Sequence, residues 1–208
     1  MFCYKKGSRG EMVRQIQKAL AGAGLNVLPD GIFGTITEDA VKSFQGKNGL
    51  TPDGIVGAMT LAKLIPSRLK KSKRTINEII VHCTATPEYR DCTVLDIRRW
   101  HLQQGWSDIG YHYVIYRNGQ VHEGRDVDIV GAHCAGHNLH SIGVVYVGGV
   151  ASDGRTPKDT RTEQQKAALL SLLIDLKKLY PRAKIYGHRD FANKDCPSFN
   201  ATKEYANL

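Results

Sequence analysis

Two histidines and one cysteine in the last two thirds of the chain have the types and positions to bind a metal ion. His82 lies near the end of the apolar run 79–83, His188 follows the short apolar segment 183–186, and Cys196 comes eight residues later. Two imidazoles and a thiolate suit tetrahedral zinc and leave a fourth position open for water. The spacing lacks a CxxC or HExxH motif, so the residue types alone also allow ordinary core or surface histidines.

Side-chain alternation limits which neighbours can join such a site. In an extended strand, His82 and Thr84 point to one face, whereas Val81 and Cys83 point to the other. His82 and Cys83 therefore cannot both readily reach one ion. We interpret Cys83 as a small buried apolar residue.

The elements that must position these residues alternate between strand and helix patterns after residue 76. Thr93 and Thr162 stand where helix N-caps are expected, and Asn118-Gly119 is typical of a two-residue hairpin turn. Strands are predicted at 79–83, 111–117, 120–125, 142–147 and 183–186, and helices at 93–105 and 163–179. This mixture indicates an α/β domain in which a mixed β-sheet is flanked by helices.

The first third of the chain contains an internal repeat with a period of 23 residues. The sequence PDGIFG at 29–34, followed by Thr37, recurs as PDGIVG at 52–57, followed by Thr60. Each Pro-Asp-Gly supplies turn residues, and a helical pattern follows each turn. Ser8 begins a capping-box pattern for an earlier helix. We predict a small three-helix domain with helices at 10–21, 37–46 and 58–64.

The net charge of +9 is concentrated in one short segment. Residues 1–66 carry 8 basic and 5 acidic side chains, residues 76–208 carry 16 and 15, and residues 67–75 carry 5 and none. Like charges repel, and this segment has little to bury, so we interpret 67–75 as a solvated basic linker between domains 1–66 and 76–208. It lacks interleaved aromatic residues, and no specific nucleic-acid partner is expected.

Composition excludes several classes of protein. A chain of 208 residues with 41% hydrophobic and 24% charged residues lies in the globular range. Its apolar runs, such as 142–147, fall far short of the roughly 20 residues that a membrane-spanning helix needs. We expect no transmembrane segment, no signal peptide and a monomer. The five cysteines are odd in number and widely spaced, so a disulfide scaffold is not expected.

Sequence blocks in order from residue 80 to 197 resemble the zinc-dependent type-2 N-acetylmuramoyl-L-alanine amidases. The blocks are IVHCTAT at 80–86, GYHY at 110–113, GQVHEGR at 119–125, Asn138 with SIGV at 141–144, GHRD at 187–190 and KDCP at 194–197. The chain looks most similar to phage amidase-type lysozymes, with animal peptidoglycan-recognition proteins as cousins. Residues 1–66 separately resemble the small three-helix peptidoglycan-binding module, through DGIFG at 30–34, Thr37, Ala40-Val41 and Phe44-Gln45.

The resemblance implies an enzyme of bacterial peptidoglycan. It would hydrolyse the amide bond between N-acetylmuramic acid and L-alanine, as a phage or prophage endolysin does. The family pattern makes His82, His188 and Cys196 the ligands of Zn²⁺, and it makes Tyr111 and Lys194 the catalytic residues. The expected location is the host cytoplasm until the protein is released to the cell wall.

Two further residues and one alternative function remain open at this point. His133 lies in a loop that resembles the family's substrate-groove wall, and we expect His133 and Asn138 to contact substrate. A plain loop histidine fits the sequence about as well. The alternative function is a non-catalytic peptidoglycan-recognition protein, as in relatives without the thiolate ligand. The presence of Cys196 and Tyr111 favours catalysis.

Overall fold

The computed structural model describes residues 3–65 and 69–208. The chain divides into two compact units, Met1–Arg68 and Leu69–Leu208. All five cysteines are free thiols. Within the described ranges, no helix combines the length and apolar character that a membrane crossing needs.

The first unit is the predicted set of three helices. They are α1 (Glu11–Gly22), α2 (Thr35–Lys47) and α3 (Ala58–Leu64). Their apolar faces pack around a core that includes Ile16, Leu20, Phe33, Val41 and Leu61. The predicted capping box at Ser8 is wrong. Helix α1 begins after Gly10, and Ser8 Oγ instead accepts a hydrogen bond from the Lys5 N–H at 3.1 Å.

The 23-residue repeat has a structural counterpart in two buried glutamines, each 1% exposed. Each glutamine Nε2 donates to an aspartate, a main-chain carbonyl and a threonine hydroxyl, and each Oε1 accepts from a glycine N–H. Gln17 contacts Asp30 Oδ1 (2.8 Å), Ile32 O (3.0 Å), Thr37 Oγ1 (3.0 Å) and Gly31 N (2.8 Å). Gln45 contacts Asp53 Oδ1 (2.8 Å), Ile55 O (2.9 Å), Thr60 Oγ1 (3.1 Å) and Gly54 N (2.9 Å).

The backbone conformation of these two turns favours glycine at one position in each. Gly31 has a φ of 79° and Gly54 a φ of 75°, in the left-handed region that side chains with a Cβ rarely adopt. Each glutamine side chain therefore links its helix by hydrogen bonds to a turn whose left-handed residue favours glycine.

The second unit is built on a mixed sheet, as predicted. Its strands are β1 (Glu78–Cys83), β2 (Thr86–Pro87), β3 (Tyr113–Ile115), β4 (Val121–Glu123), β5 (Ser141–Tyr146), β6 (Gly149–Val150) and β7 (Lys184–Gly187). Five of them form one sheet in the order β4-β3-β5-β1-β7, in which only the β3–β4 pair is antiparallel. The short strands β2 and β6 pair with each other, a feature the sequence did not predict.

Helices cover this sheet and have the predicted caps. They are α4 (Val94–Gln103), α5 (Glu163–Leu179) and the short α6 (Ala201–Glu204). Thr93 caps α4 and Thr162 caps α5, each in a capping box with the residue three positions later. Leu169, Leu173 and Leu176 of α5 are fully buried, as are Ile79, Ile80 and Val81 of β1. The core therefore lies around the interior strand β1, which stands between β5 and β7.

The described part of the predicted linker is exposed at Lys71, Lys73 and Thr75, but it contacts the second unit through Lys70 and Ser72. Ser72 is 6% exposed. Its N–H donates to the Tyr180 hydroxyl at 2.6 Å and its Oγ to the Val127 carbonyl at 2.7 Å. Lys70 forms ion pairs with Asp126 at 2.9 Å and Asp128 at 2.8 Å. Charge counting misses such partners because they come from a loop more than 50 positions away. Residues 67 and 68 lie outside the described residues.

A buried arginine fixes the chain that follows Cys196. The Arg161 side chain is 2% exposed and pairs with Asp159 at 2.8 Å and Glu204 at 2.9 Å. Its guanidinium carbon lies 3.3 Å from the centre of the Phe199 ring. Removal of one partner from such a buried ion pair is strongly destabilising, so this contact holds the C-terminal segment against the second unit.

Candidate metal centre

His82, His188 and Cys196 meet at the carboxyl ends of β1 and β7. These neighbouring strands are parallel, and their register pairs Val81 with Gly187, which places the next residues side by side. The ligand atoms that the three side chains offer all lie within 4.8 Å of one another, and no other such set occurs among the described residues. His82 Nδ1 lies 3.8 Å from Cys196 Sγ. Two imidazoles and a sulfur at these separations fit the ligand preference of zinc.

Main-chain contacts hold Cys196 in this cluster. Its Sγ accepts a hydrogen bond from the Cys83 N–H at 3.3 Å, and its carbonyl accepts one from the Arg189 N–H at 2.7 Å. A hydrogen bond with the Cys83 thiol, together with burial, raises the pKa of the Cys196 thiol. A cation held by the cluster would oppose this shift, because it favours the thiolate. Cys83 itself is buried and does not belong to the ligand set.

Burial favours the neutral form of both candidate imidazole ligands. His82 is fully buried, and loss of hydration holds its pKa well below the usual value. Burial and the nearby Lys194 also lower the pKa of the half-buried His188. The neutral imidazole is the form that binds a metal ion, so the site is prepared for a cation near neutral pH.

A cavity of about 370 Å³ opens beside the cluster. His188 and the exposed Lys194 contribute to its wall, so a cation stands next to the candidate metal ligands. The other lining residues are Trp106, Ala132, His133, Cys134, Ala135, Asn138, Phe191 and Ala192. Trp106 and Phe191 were not singled out from the sequence. Aromatic residues in a wall of this kind carry no local pattern that distinguishes them from core residues.

Tyr111 lies beside His82 but is not among the residues that line this cavity. Its ring centre is 5.1 Å from that of His82 and 5.4 Å from that of His101. Burial raises the pKa of the Tyr111 phenol above its usual value. The hydroxyl therefore remains protonated, and it can donate a hydrogen bond across the working pH range.

His133 and Asn138 both line the cavity, and both also make contacts within the protein. His133 Nδ1 lies 3.0 Å from His82 Nε2, although the two residues are 51 positions apart. Asn138 Oδ1 accepts hydrogen bonds from the His133 and Cys134 N–H groups, each at 2.9 Å. Sequence reasoning missed the contact between His133 and His82. The available signal was the similarity of the His133 loop to a substrate-groove wall.

Comparisons with known proteins cover both units. Residues 72–199 match the family described as N-acetylmuramoyl-L-alanine amidase, and residues 9–64 match the family described as putative peptidoglycan binding domain. The endolysin of Enterobacteria phage K11 is 45% identical over 128 residues, which are 62% of this chain and 84% of the relative.

Two solved structures resemble the fold. The amidase LysC from Clostridium intestinale URNW is 30% identical with a TM-score of 0.54, over 63% of this chain and 82% of that one. Wild-type Drosophila PGRP-LB is 27% identical with a TM-score of 0.54, over 71% of this chain and 91% of that one.

Proposed function

Since this chain belongs to the N-acetylmuramoyl-L-alanine amidase family, we propose that it is a zinc-dependent endolysin that cuts bacterial peptidoglycan. The bond cleaved is the amide between the lactyl group of N-acetylmuramic acid and the L-alanine of the stem peptide. The observation that carries the proposal is the meeting of two imidazoles and a thiol beside a cavity. A protein that only binds peptidoglycan has no need of that set, so the non-catalytic alternative is less well supported.

His82, His188 and Cys196 would hold the zinc ion. Bound zinc supplies a Lewis acid for the amide carbonyl and lowers the pKa of water from roughly 15.7 towards 7. The buried His82 and the half-buried His188 meet this role as neutral ligands. Cys196 contributes the single negative charge of the set, so the loaded site keeps a net charge near +1.

Lys194 supplies a second positive charge on the cavity wall. Attack on the amide carbon moves negative charge onto the carbonyl oxygen, and a fixed cation nearby stabilises that charge. The Lys194 side chain is exposed on this wall. We assign Lys194 the stabilisation of the developing oxyanion.

Tyr111 supplies a hydrogen-bond donor near His82. A tyrosine phenol is protonated at neutral pH, and burial raises the pKa of this one further, so its hydroxyl can donate to the same oxygen or orient the attacking water. Both roles need a neutral phenol, and the direction of the pKa shift supports them.

The first unit would hold the enzyme on its polymeric substrate. Its match to the peptidoglycan-binding family supports this role. Binding to the wall raises the local concentration of scissile bonds around the second unit. We further propose that the protein is a monomer, since one chain supplies all three candidate ligands. The similarity to phage endolysins supports residence in the host cytoplasm until release to the wall.

The replacement Cys196→Ser tests the ligand assignment. Serine keeps the shape but removes the thiolate, so we expect loss of both bound zinc and amidase activity. Cys3→Ser is the control, because Cys3 belongs to the first unit. Metal analysis of the purified proteins and release of soluble peptide from cell walls give the two readouts. Retention of zinc with full activity in Cys196→Ser would show that the ligand set is wrong.

A further inference from the structure

The two ring nitrogens of His82 face different partners. Nδ1 points towards the cluster and lies 3.8 Å from Cys196 Sγ. Nε2 lies 3.0 Å from Nδ1 of the buried His133. A metal ion shared with Cys196 can therefore reach only Nδ1. The other nitrogen is committed to a second histidine that is outside the ligand set.

The ring of His133 is closely held. Its Nε2 lies 3.2 Å from Oγ of the fully buried Ser141. A Cβ added at Gly131 or at Gly143 would lie 2.5 Å from His133 Cδ2, so glycines at these positions make room for the imidazole. The main-chain N–H of His133 is bound to Asn138. These contacts fix both the position and the orientation of the ring.

The number of protons available sets the direction of these hydrogen bonds. A neutral imidazole carries one N–H, and a metal ligand must leave its binding nitrogen bare. If Nδ1 of His82 binds zinc, its proton is on Nε2 and is donated to His133 Nδ1. His133 then carries its own proton on Nε2 and donates it to Ser141 Oγ.

We propose that His133 is a positioning residue that holds His82 in the tautomer and ring orientation required for zinc binding. This inference rests on the proposed function of the cluster. It gives His133 a role through His82, in addition to its place on the cavity wall. Partners of this kind fix the ligand's tautomer and raise its basicity.

Another buried histidine of the same unit shows the contrast with a purely structural role. His112 Nδ1 accepts a hydrogen bond from the Gly143 N–H at 2.9 Å, and its Nε2 lies 3.1 Å from the Ile129 carbonyl. Nη2 of Arg74 also lies 3.1 Å from His112 Nε2, so this ring contacts the main chain and an arginine, and none of these partners is a candidate metal ligand. The ring contacts of His133 are with a candidate ligand and a serine hydroxyl, so they form a chain that ends at the metal position.

Two variants of His133 with side chains of similar shape distinguish the effect of its hydrogen bond to His82 from the effect of its packing. Asparagine can place Oδ1 near the position of the imidazole Nδ1 and accept from His82, whereas leucine cannot. We expect His133→Leu to weaken zinc binding by about 10- to 100-fold, and His133→Asn to recover most of that loss. Zinc affinity is measured by competition with a chromogenic chelator. The control is His140→Leu, an exposed histidine whose ring contacts the Thr75 carbonyl, with no change expected.

Two spectroscopic readouts separate positioning from general loss of structure. The visible absorption of the Co²⁺-substituted protein should change in His133→Leu and return towards the parent spectrum in His133→Asn. In the unmodified chain, ¹⁵N imidazole NMR should show the His82 proton on Nε2, both without metal and with zinc. The NMR measurement decides the matter even if the leucine variant does not fold.

The outcomes distinguish this inference from the proposed function. Equal zinc affinity in the leucine variant and the parent would overturn the positioning role, as would a His82 proton on Nδ1 in the metal-free chain. If the unmodified chain bound no zinc, the proposed function would fail first. The tautomer in the metal-free chain would then still show whether His133 orients His82.

Discussion

Burial separates the roles of the residues around the cluster. His82 is fully buried, which favours a neutral ligand, whereas Lys194 is exposed on the cavity wall. The Tyr111 phenol is protonated at neutral pH, and burial raises its pKa further. One small region therefore combines neutral ligands, a cation and a neutral donor.

The replacement Lys194→Ala removes the cation from the cavity wall but removes no proposed ligand. We expect kcat to fall by about 100- to 1,000-fold, the size of effect seen when one oxyanion-stabilising group is lost, with zinc content unchanged. Steady-state hydrolysis of a small soluble muropeptide and metal analysis give the two values. The matched control is Lys184→Ala, an exposed lysine of β7, with both values unchanged. Loss of zinc from Lys194→Ala would assign this residue to the metal site instead.

Residue types predicted part of this site, and the rest required the fold. His82, His188 and Cys196 could be proposed because their types suit zinc, and because His82 lies near the end of one predicted strand and His188 follows another. Tyr111 and Lys194 were proposed from family resemblance, since a single tyrosine or loop lysine carries no pattern of its own. The contact between His133 and His82 could not be predicted, because it depends on the packing of a loop against β1.

At the scale of elements, features that depend on neighbouring residues, such as helix caps, were predicted well. Pairings between distant segments were not. The caps at Thr93 and Thr162 involve residues three positions apart, and both form as predicted. Strands β2 and β6 contain two residues each and pair across more than 60 positions, so no local sequence pattern predicts them. The Ser8 prediction failed because the capping-box spacing does not specify where a helix starts, and the residue at the N-cap of α1 is Gly10.

The repeated glutamines give a test at this scale. Gln17→Ala or Gln45→Ala leaves a buried glycine N–H and a threonine hydroxyl without their glutamine partner. We expect each replacement to lower the opening free energy of the first unit by about 2 kcal/mol. Hydrogen exchange of the amides in α1 and α2 measures this quantity. Gln15→Ala is the control, because Gln15 is an exposed residue of the same helix. Equal protection in Gln17→Ala and Gln15→Ala would show that the buried hydrogen bonds do not stabilise the turn.

At the scale of the whole molecule, fewer positive side chains of the basic segment are free to contact an anionic partner than the composition indicates. Lys70 is paired with Asp126 and Asp128, and Arg74 Nε donates to the Val127 carbonyl at 2.8 Å. Lys71 and Lys73 are exposed. These two lysines are therefore the described residues of the basic segment that best fit contact with an anionic wall polymer.

Neutralising these two lysines tests the role of the segment. We expect a variant with Lys71→Gln and Lys73→Gln to bind purified cell walls more weakly at low salt. The difference should vanish near 1 M salt, where the screening length is about 3 Å. Turnover of a small soluble muropeptide should not change. A variant with Lys184→Gln and Lys203→Gln removes the same charge from other exposed positions. Equal weakening in both variants would show that net charge, and not this segment, controls wall binding.

The most direct test of the central claim is the release of new N-terminal alanine from purified peptidoglycan. We predict that the zinc-loaded protein releases it, that removal of zinc by a chelator stops the release, and that added zinc restores it. Contradiction would come from a zinc-loaded protein that releases no new N-terminal alanine, or from undiminished release after the zinc has been removed.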